Sequence, residues 1–111
     1  MIKLENIFRD SGTKLEEELV EILIPAGRIV RLERAVSPKS DTPSKVYDQE
    51  EDEFVMLVKG YAELEFEEEG EMGKRKVVMR EGDYINIPAH LKHRVIKTEE
   101  GTTCLALFYK R

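Results

Sequence analysis

Short runs in which apolar and polar residues alternate place the tightest constraint on how this chain folds. The clearest is YAELEFEEE, residues 61–69, where Ala62, Leu64 and Phe66 alternate with glutamates. Side chains two residues apart share one face of a strand, so these three residues predict a buried face. Similar runs, separated by glycine, proline and aspartate, are RKVVMR, YINIP, HRVIKT and TTCLALFYK. Their spacing predicts an all-β protein of roughly eight or nine strands, a sandwich or barrel.

Two earlier runs predict further strands. EFVMLV, residues 53–58, is apolar on both faces, which favours a central strand buried on two sides. RIVRLERAVS, residues 28–37, alternates, and Val30, Leu32 and Val36 share a face with Arg34. If that face were the interior, Arg34 could pair with an anionic ligand or with a buried carboxylate. We favour the alternative, an edge strand from which Arg34 reaches solvent.

A short helix is predicted near the N-terminus. In SGTKLEEELVEIL, residues 11–23, Ser11 or Thr13 can cap a helix, and Glu16 follows Thr13 at the capping-box spacing. We expect one or two helical turns there. The last residues of this segment overlap with VEILIP, residues 20–25. That run predicts a first strand that ends at Pro25.

Length and charge exclude several classes of protein. The chain has 111 residues, which predicts one domain over residues 1–111. Its formal net charge of −5 and scattered basic residues argue against binding to nucleic acid. No apolar run approaches the ~20 residues that span a membrane, and the N-terminus lacks a signal-like apolar region, so we expect a cytoplasmic protein. Cys104 is the only cysteine, which excludes an internal disulfide and predicts a small core residue.

Both histidines of the chain lie in PAHLKHRV, residues 88–95. His93 begins a strand-like run and shares a face with Val95, so it points inward if Val95 does. His90 lies in the loop after Pro88, where its direction is not set by the pattern. We expect a loop histidine at the mouth of the barrel, able to meet a ligand as an acid or base.

A second group of polar residues precedes Gly60 in the run KVYDQEEDEFVMLVKG. Tyr47 and Gln49 are two residues apart and share a face of an extended segment. Glu53 shares the face of the apolar residues that follow it. A carboxylate on an inward-facing row needs a partner, because its burial alone is costly.

The two groups resemble the cupin superfamily. Its first motif has a His-x-His pair, a Glu and a Gly seven residues later, and Glu53 and Gly60 match the last two. Its second motif has Gly, five residues, Pro and then His, which Gly82, Pro88 and His93 match. The run resembles small single-domain cupins with YDQ…DE in place of the paired histidines. The resemblance covers roughly residues 20–110 and implies a double-stranded β-helix, or jelly roll, with the site inside the barrel.

The resemblance also implies a metal site, with one departure. Tyr47 and Gln49 stand where the family has its two motif-one histidines, so the implied ligands are Gln49, Glu53 and His93. They would hold a divalent ion such as zinc, nickel, iron or manganese, with His90 and Tyr47 as candidate proton-transfer residues. An amide oxygen is a weaker ligand than imidazole for these ions, and oxygen chemistry becomes less expected without a second histidine.

Two functions remain open at this point. One is a barrel that binds a small molecule, with or without a metal. The other is a metal-dependent isomerase or lyase acting on a sugar-like or carboxylated metabolite. Because small cupins commonly pair their sheets, the resemblance further implies a C2 homodimer.

Overall fold

The computed structural model describes residues 2–9, 17–24, 27–67 and 73–111. Within these ranges the chain forms eight β-strands. They are β1 (Glu5–Asn6), β2 (Arg28–Ser37), β3 (Asp52–Lys59), β4 (Ala62–Glu67), β5 (Lys74–Met79), β6 (Asp83–Ile87), β7 (His93–Thr98) and β8 (Thr102–Lys110).

The strands form two antiparallel sheets that enclose one core. The larger sheet has the order β1-β6-β3-β8-β2, and the smaller has the order β5-β4-β7. Leu57 and Ile85 of the larger sheet are fully buried, as is Phe66 of the smaller one. The all-β architecture is therefore confirmed, with two sheets packed as in a jelly roll. No helix in the described ranges is long and apolar enough to cross a membrane.

The β4 prediction is confirmed in detail, and the β3 prediction in part. In β4, Ala62, Leu64 and Phe66 are buried while the glutamates between them are half-buried. Residues 68 and 69, at the end of that run, lie outside the described residues. Strand β3 pairs with β6 on one side and β8 on the other, so it is central to its sheet. Burial on both of its faces is wrong, because Phe54 and Met56 are half-buried and Val58 is 48% exposed.

Strand β2 is an edge strand whose apolar face points outward. In its pairing with β8, Glu33 is opposite Ala106 and Ala35 is opposite Cys104. Directly opposed residues in an antiparallel pair project to the same side, and Ala106 is buried in the core. Arg34 therefore lies on the outer face, which agrees with the edge-strand alternative. Leu32 and Val36 lie there too, 60% and 52% exposed, so the interior alternative for that face is excluded. Val30, at the register shift between Ile29 and Arg31, is 43% exposed.

The N-terminal helix prediction is wrong for the part of the segment that can be examined. Ser11, Thr13 and Glu16, the proposed cap residues, lie outside the described residues. Residues 17–24 form neither helix nor strand, so the strand predicted from residue 20 is also wrong there. Val20 and Ile22 are about three-quarters exposed (74% and 77%), so the segment buries little apolar surface. A segment this short cannot offset the cost of helix nucleation without such packing.

Candidate functional site

A cavity of about 240 Å³ lies between the two sheets. Most of its wall is apolar and comes from strands of both sheets, including Val55, Leu64, Met79 and Phe108. The polar part of the wall comes from Glu33, Tyr47, Gln49, Glu53 and His93, together with the hydroxyl residues Ser37, Thr98 and Thr102. The four pocket residues predicted from the sequence, Tyr47, Gln49, Glu53 and His93, therefore line one cavity.

Tyr47 and Gln49 reach the cavity because the loop after β2 runs antiparallel along β7. Tyr47 donates its backbone N–H to the His93 carbonyl at 2.7 Å, and His93 returns a bond to the Tyr47 carbonyl at 3.1 Å. The Gln49 carbonyl accepts the His90 N–H at 2.7 Å. These bonds hold the loop like an extra strand, so the two-residue periodicity carries over to residues 47 and 49.

The His93 ring is fixed in position and in tautomer. It stacks between Phe66 and Tyr47, with ring centroids 5.7 and 5.8 Å away. Its Nδ1 lies 2.9 Å from the Leu91 carbonyl oxygen, which can only accept, so Nδ1 carries the proton. Burial lowers the pKa of His93, and the bond to Leu91 opposes that shift only in part. Nε2 is therefore an unprotonated nitrogen, free to accept a hydrogen bond or bind a metal.

Glu53 supplies a carboxyl group to the cavity wall near the His93 ring. Its Oε1 lies 3.9 Å from His93 Nε2, too far for a direct hydrogen bond. Burial raises the pKa of Glu53 to about 7, and the nearby Glu33 carboxylate acts in the same direction. The Gln49 amide, which lies close to the Glu53 carboxyl without reaching normal hydrogen-bond geometry, and the Arg31 guanidinium oppose this rise in pKa. The Glu53 carboxyl is therefore close to half-protonated at neutral pH.

The Gln49 amide has an unmet hydrogen-bonding requirement. Its Nε2 is buried, and no partner of normal geometry is found for it among the described residues. A buried amide group without a partner costs about 1–3 kcal/mol. A ligand or water in the cavity would remove this penalty.

Glu33 is a cavity residue that the sequence analysis missed. Its carboxylate pairs with Arg31 at 2.8 Å, and the Arg31 guanidinium lies 3.9 Å from the centre of the Phe108 ring. The signal that could have indicated Glu33 was the polar face of β2, which carries Arg31, Glu33 and Ser37. The sequence analysis considered only the opposite face of β2, because that face carries more apolar residues.

His90 lies outside the cavity lining. Its side chain is two-thirds exposed, and its Nδ1 lies 2.9 Å from Asp48 Oδ1. Its backbone has a φ of 67°, a left-handed conformation that is uncommon for residues other than glycine. Cys104, predicted to be a core residue, is half-buried and forms part of the cavity wall.

Two of the three proposed metal ligands converge. A separation of 3.9 Å between Glu53 Oε1 and His93 Nε2 suits two ligands of one ion, since each metal–ligand bond is about 2.0–2.2 Å. The third, Gln49, lines the same cavity, but amide oxygens bind transition metals weakly. The described residues contain no cluster of three or more His, Cys, Asp or Glu side chains placed to hold a metal. The donor set therefore fits a weakly held divalent ion.

Comparison with known structures adds the family context. A crystal structure of a provisionally named mannose-6-phosphate isomerase from Ralstonia eutropha JMP134 is 32% identical, with a TM-score of 0.59. That match covers 96% of this chain and 97% of the other. The TDP-fucose-3,4-ketoisomerase of Campylobacter jejuni has a TM-score of 0.70 at 10% identity, over 99% of this chain and 82% of the other. A 3,4-ketoisomerase from Thermoanaerobacterium thermosaccharolyticum has a TM-score of 0.70 at 14% identity, covering 99% and 80%.

The similarities to the two 3,4-ketoisomerases, at 10% and 14% identity, show a shared fold alone. Among curated proteins, none matches the chain significantly. The family model for the cupin domain matches residues 33–109, which include every residue of the cavity wall. The chain therefore belongs to the cupin superfamily.

Proposed function

We propose that this protein binds a small molecule inside the barrel, beside Tyr47, Gln49, Glu53 and His93. The observation that carries the proposal is a largely apolar cavity whose polar wall holds a buried amide nitrogen, Gln49 Nε2, without a hydrogen-bond partner of normal geometry among the described residues. His93 Nε2, in the same wall, is unprotonated. Convergent polar groups in an otherwise apolar cavity are typical of ligand sites.

Ligand screening by thermal denaturation tests this proposal. A library of metabolites should contain compounds that raise the Tm of the wild-type protein, because a ligand stabilises the folded state that binds it. Gln49→Leu and His93→Gln should lose that increase, whereas His90→Gln, an exposed matched histidine variant, should keep it. Circular dichroism would verify that each variant is folded. The proposal fails if no compound raises Tm, or if the increase survives in both cavity variants.

We further propose that a divalent ion, such as zinc, nickel, iron or manganese, binds to Gln49, Glu53 and His93. When bound, such an ion would polarise a carbonyl or hydroxyl oxygen of a ligand. Elemental analysis of the untagged protein should detect the ion, and His93→Ala should lose it while His90→Ala keeps it. Absence of metal after soaking with zinc, nickel, iron(II) and manganese would eliminate the metal site and leave the binding function intact.

An alternative function is isomerase or lyase activity on a sugar-like or carboxylated metabolite. It is supported by the 32% identity to the provisionally named isomerase and by the placement of Tyr47 against His93 in the cavity. Tyr47 would transfer a proton directly, whereas His90 could act only from outside the cavity lining. Turnover of a sugar that is lost in Tyr47→Phe but retained in His90→Gln would support this alternative and assign the proton transfer to Tyr47.

A homodimer is the assembly that we propose. Leu32 and Val36 of edge strand β2 are 60% and 52% exposed, and Val58 of the same sheet is 48% exposed. A second copy would cover this outer apolar face, and within the described ranges no strand pairs with the outer edge of the ten-residue β2. Light scattering after size-exclusion chromatography measures the assembly directly.

A further inference from the structure

The charges on the cavity wall restrict which ligands it can take. The wall carries two carboxylates, Glu33 and Glu53, and no lysine or arginine among the described residues that form it. A phosphate or carboxylate ligand in this cavity would be buried beside acidic groups without a cation to pair with. Burial of an unpaired charge is strongly unfavourable.

The Arg31 guanidinium, which packs on the wall residue Phe108, is already paired with carboxylates. The Arg31 Nε lies 2.8 Å from Glu33 Oε2, and its Nη1 lies 3.6 Å from Glu51 Oε1. Its flat face covers the Phe108 ring. One cation shared between two carboxylates leaves this end of the cavity negative, so Arg31 is not a phosphate-binding residue.

The polar wall is complementary to hydroxyl groups. A single oxygen placed about 2.8 Å from both Glu53 Oε1 and His93 Nε2 would span their separation of 3.9 Å. A hydroxyl can donate to one and accept from another, which matches the mixture of acceptors here with the donor Gln49 Nε2. Val55, Leu64 and Met79 would contact the C–H surface of the same molecule.

The size of the cavity sets a further limit. About 240 Å³ is slightly below the ~300 Å³ at the lower end of pockets for drug-sized ligands. This volume suits a molecule on the scale of one monosaccharide.

Building on the proposed binding function, we propose that the cavity selects an uncharged polyhydroxy compound and excludes its phosphorylated or carboxylated derivative. The discriminating residue is Glu33, whose half-exposed side chain (49%) places a carboxylate at the solvent-facing part of the wall and pairs with Arg31.

Methyl NMR of full-length protein labelled with [methyl-¹³C]methionine tests the proposal. Met79 is buried in the cavity wall, whereas Met56 of β3 is absent from that wall and serves as the internal reference. The probes are mannose, glucose and fructose, each beside its 6-phosphate, together with glucuronate. Titrations are run on the protein as purified and again with EDTA.

At least one free sugar should shift the Met79 signal saturably and leave Met56 unchanged. The matching 6-phosphate should bind at least about tenfold more weakly, which corresponds to ~1.4 kcal/mol. Glu33→Lys should reduce that preference by adding a cation at the wall. Glu81→Lys, the same charge change at an exposed turn, should leave it unaltered.

A 6-phosphate or glucuronate that shifts Met79 as strongly as the free sugar, in either condition, overturns the selectivity but supports the binding function. A Met79 signal that no probe shifts also overturns it. The binding function would then depend on the thermal screen of a broader library, and it fails only if that screen finds nothing either.

Discussion

Replacement of Glu53 by glutamine should remove a large part of the pH dependence of stability. Burial raises the pKa of Glu53 to about 7 from an ordinary value of 4.5. Below pH 4.5 the carboxyl is protonated in both the folded and the unfolded chain. Between pH 4.5 and 7 the unfolded chain releases the proton while the folded protein retains it, so the free energy of unfolding falls as pH rises. Above pH 7 the loss is complete.

The size of this effect follows from the difference between the two pKa values. Each tenfold change in proton affinity corresponds to 1.36 kcal/mol, so the whole loss is about 3 kcal/mol. For a chain of this length, that equals roughly 10 °C or more in Tm. Glutamine is nearly the same size as glutamate and cannot ionise, so Glu53→Gln should hold its stability between pH 5 and 8 where the wild type weakens.

Urea denaturation at pH 5, 6, 7 and 8 measures the difference. The quantity to compare is wild type minus variant, because groups remote from residue 53 titrate equally in both proteins. Burial lowers the pKa of His93, which gives the opposite trend below pH 6.5, so the decline between pH 6.5 and 7 is free of that opposing trend. Glu81→Gln, an exposed glutamate, should reproduce the wild-type profile. An unchanged pH profile in Glu53→Gln, or wild-type stability that rises relative to the variant between pH 5 and 7, would refute the reasoning.

Three further outcomes are expected. Gly60 has a φ of 101°, and a Cβ added there would lie 2.8 Å from the Thr102 Cα. Gly60→Ala should therefore lower the free energy of unfolding by at least about 1–3 kcal/mol. A urea denaturation curve equal to that of the wild type would contradict this. The Asp52 carboxylate is 8% exposed and lies 2.6 Å from the Arg111 guanidinium. Asp52→Asn should therefore lower the free energy of unfolding by about 1–3 kcal/mol at pH 7. A change within about 0.5 kcal/mol would show that this ion pair does not stabilise the fold. Leu32→Glu on the outer face should convert a dimer to a monomer in light scattering, and an unaltered mass would exclude this face as the contact.

Much of the fold could be predicted because strands produce a local signal. The runs at residues 28–37, 93–98 and 102–110 coincide with β2, β7 and β8, since alternation and turn residues act over a few neighbours. The placement of Tyr47, Gln49, Glu53 and His93 around one cavity was accessible for a similar reason. Two-residue periodicity assigned each to a face, and the family motifs indicated which faces meet.

The direction of β2 could not be predicted from its own residues. Both of its faces carry apolar and charged side chains, and the choice depends on which residue of β8 lies opposite. That pairing joins segments about seventy residues apart, so no local pattern encodes it. As a result, the sequence analysis missed Glu33 and left two directions open for Arg34, of which it favoured the outward one. The helical prediction was wrong over residues 17–23, because cap spacing ignores whether a packing surface exists.

The sequence by itself determined the strand periods, the turn positions and the set of side chains able to bind a ligand or a metal. Only the tertiary structure decided their chemical state. Enclosure by two sheets raises the pKa of Glu53, and the Leu91 carbonyl selects the tautomer of His93. These properties depend on burial and on distances across the barrel, which arise only when segments far apart in the chain have packed together.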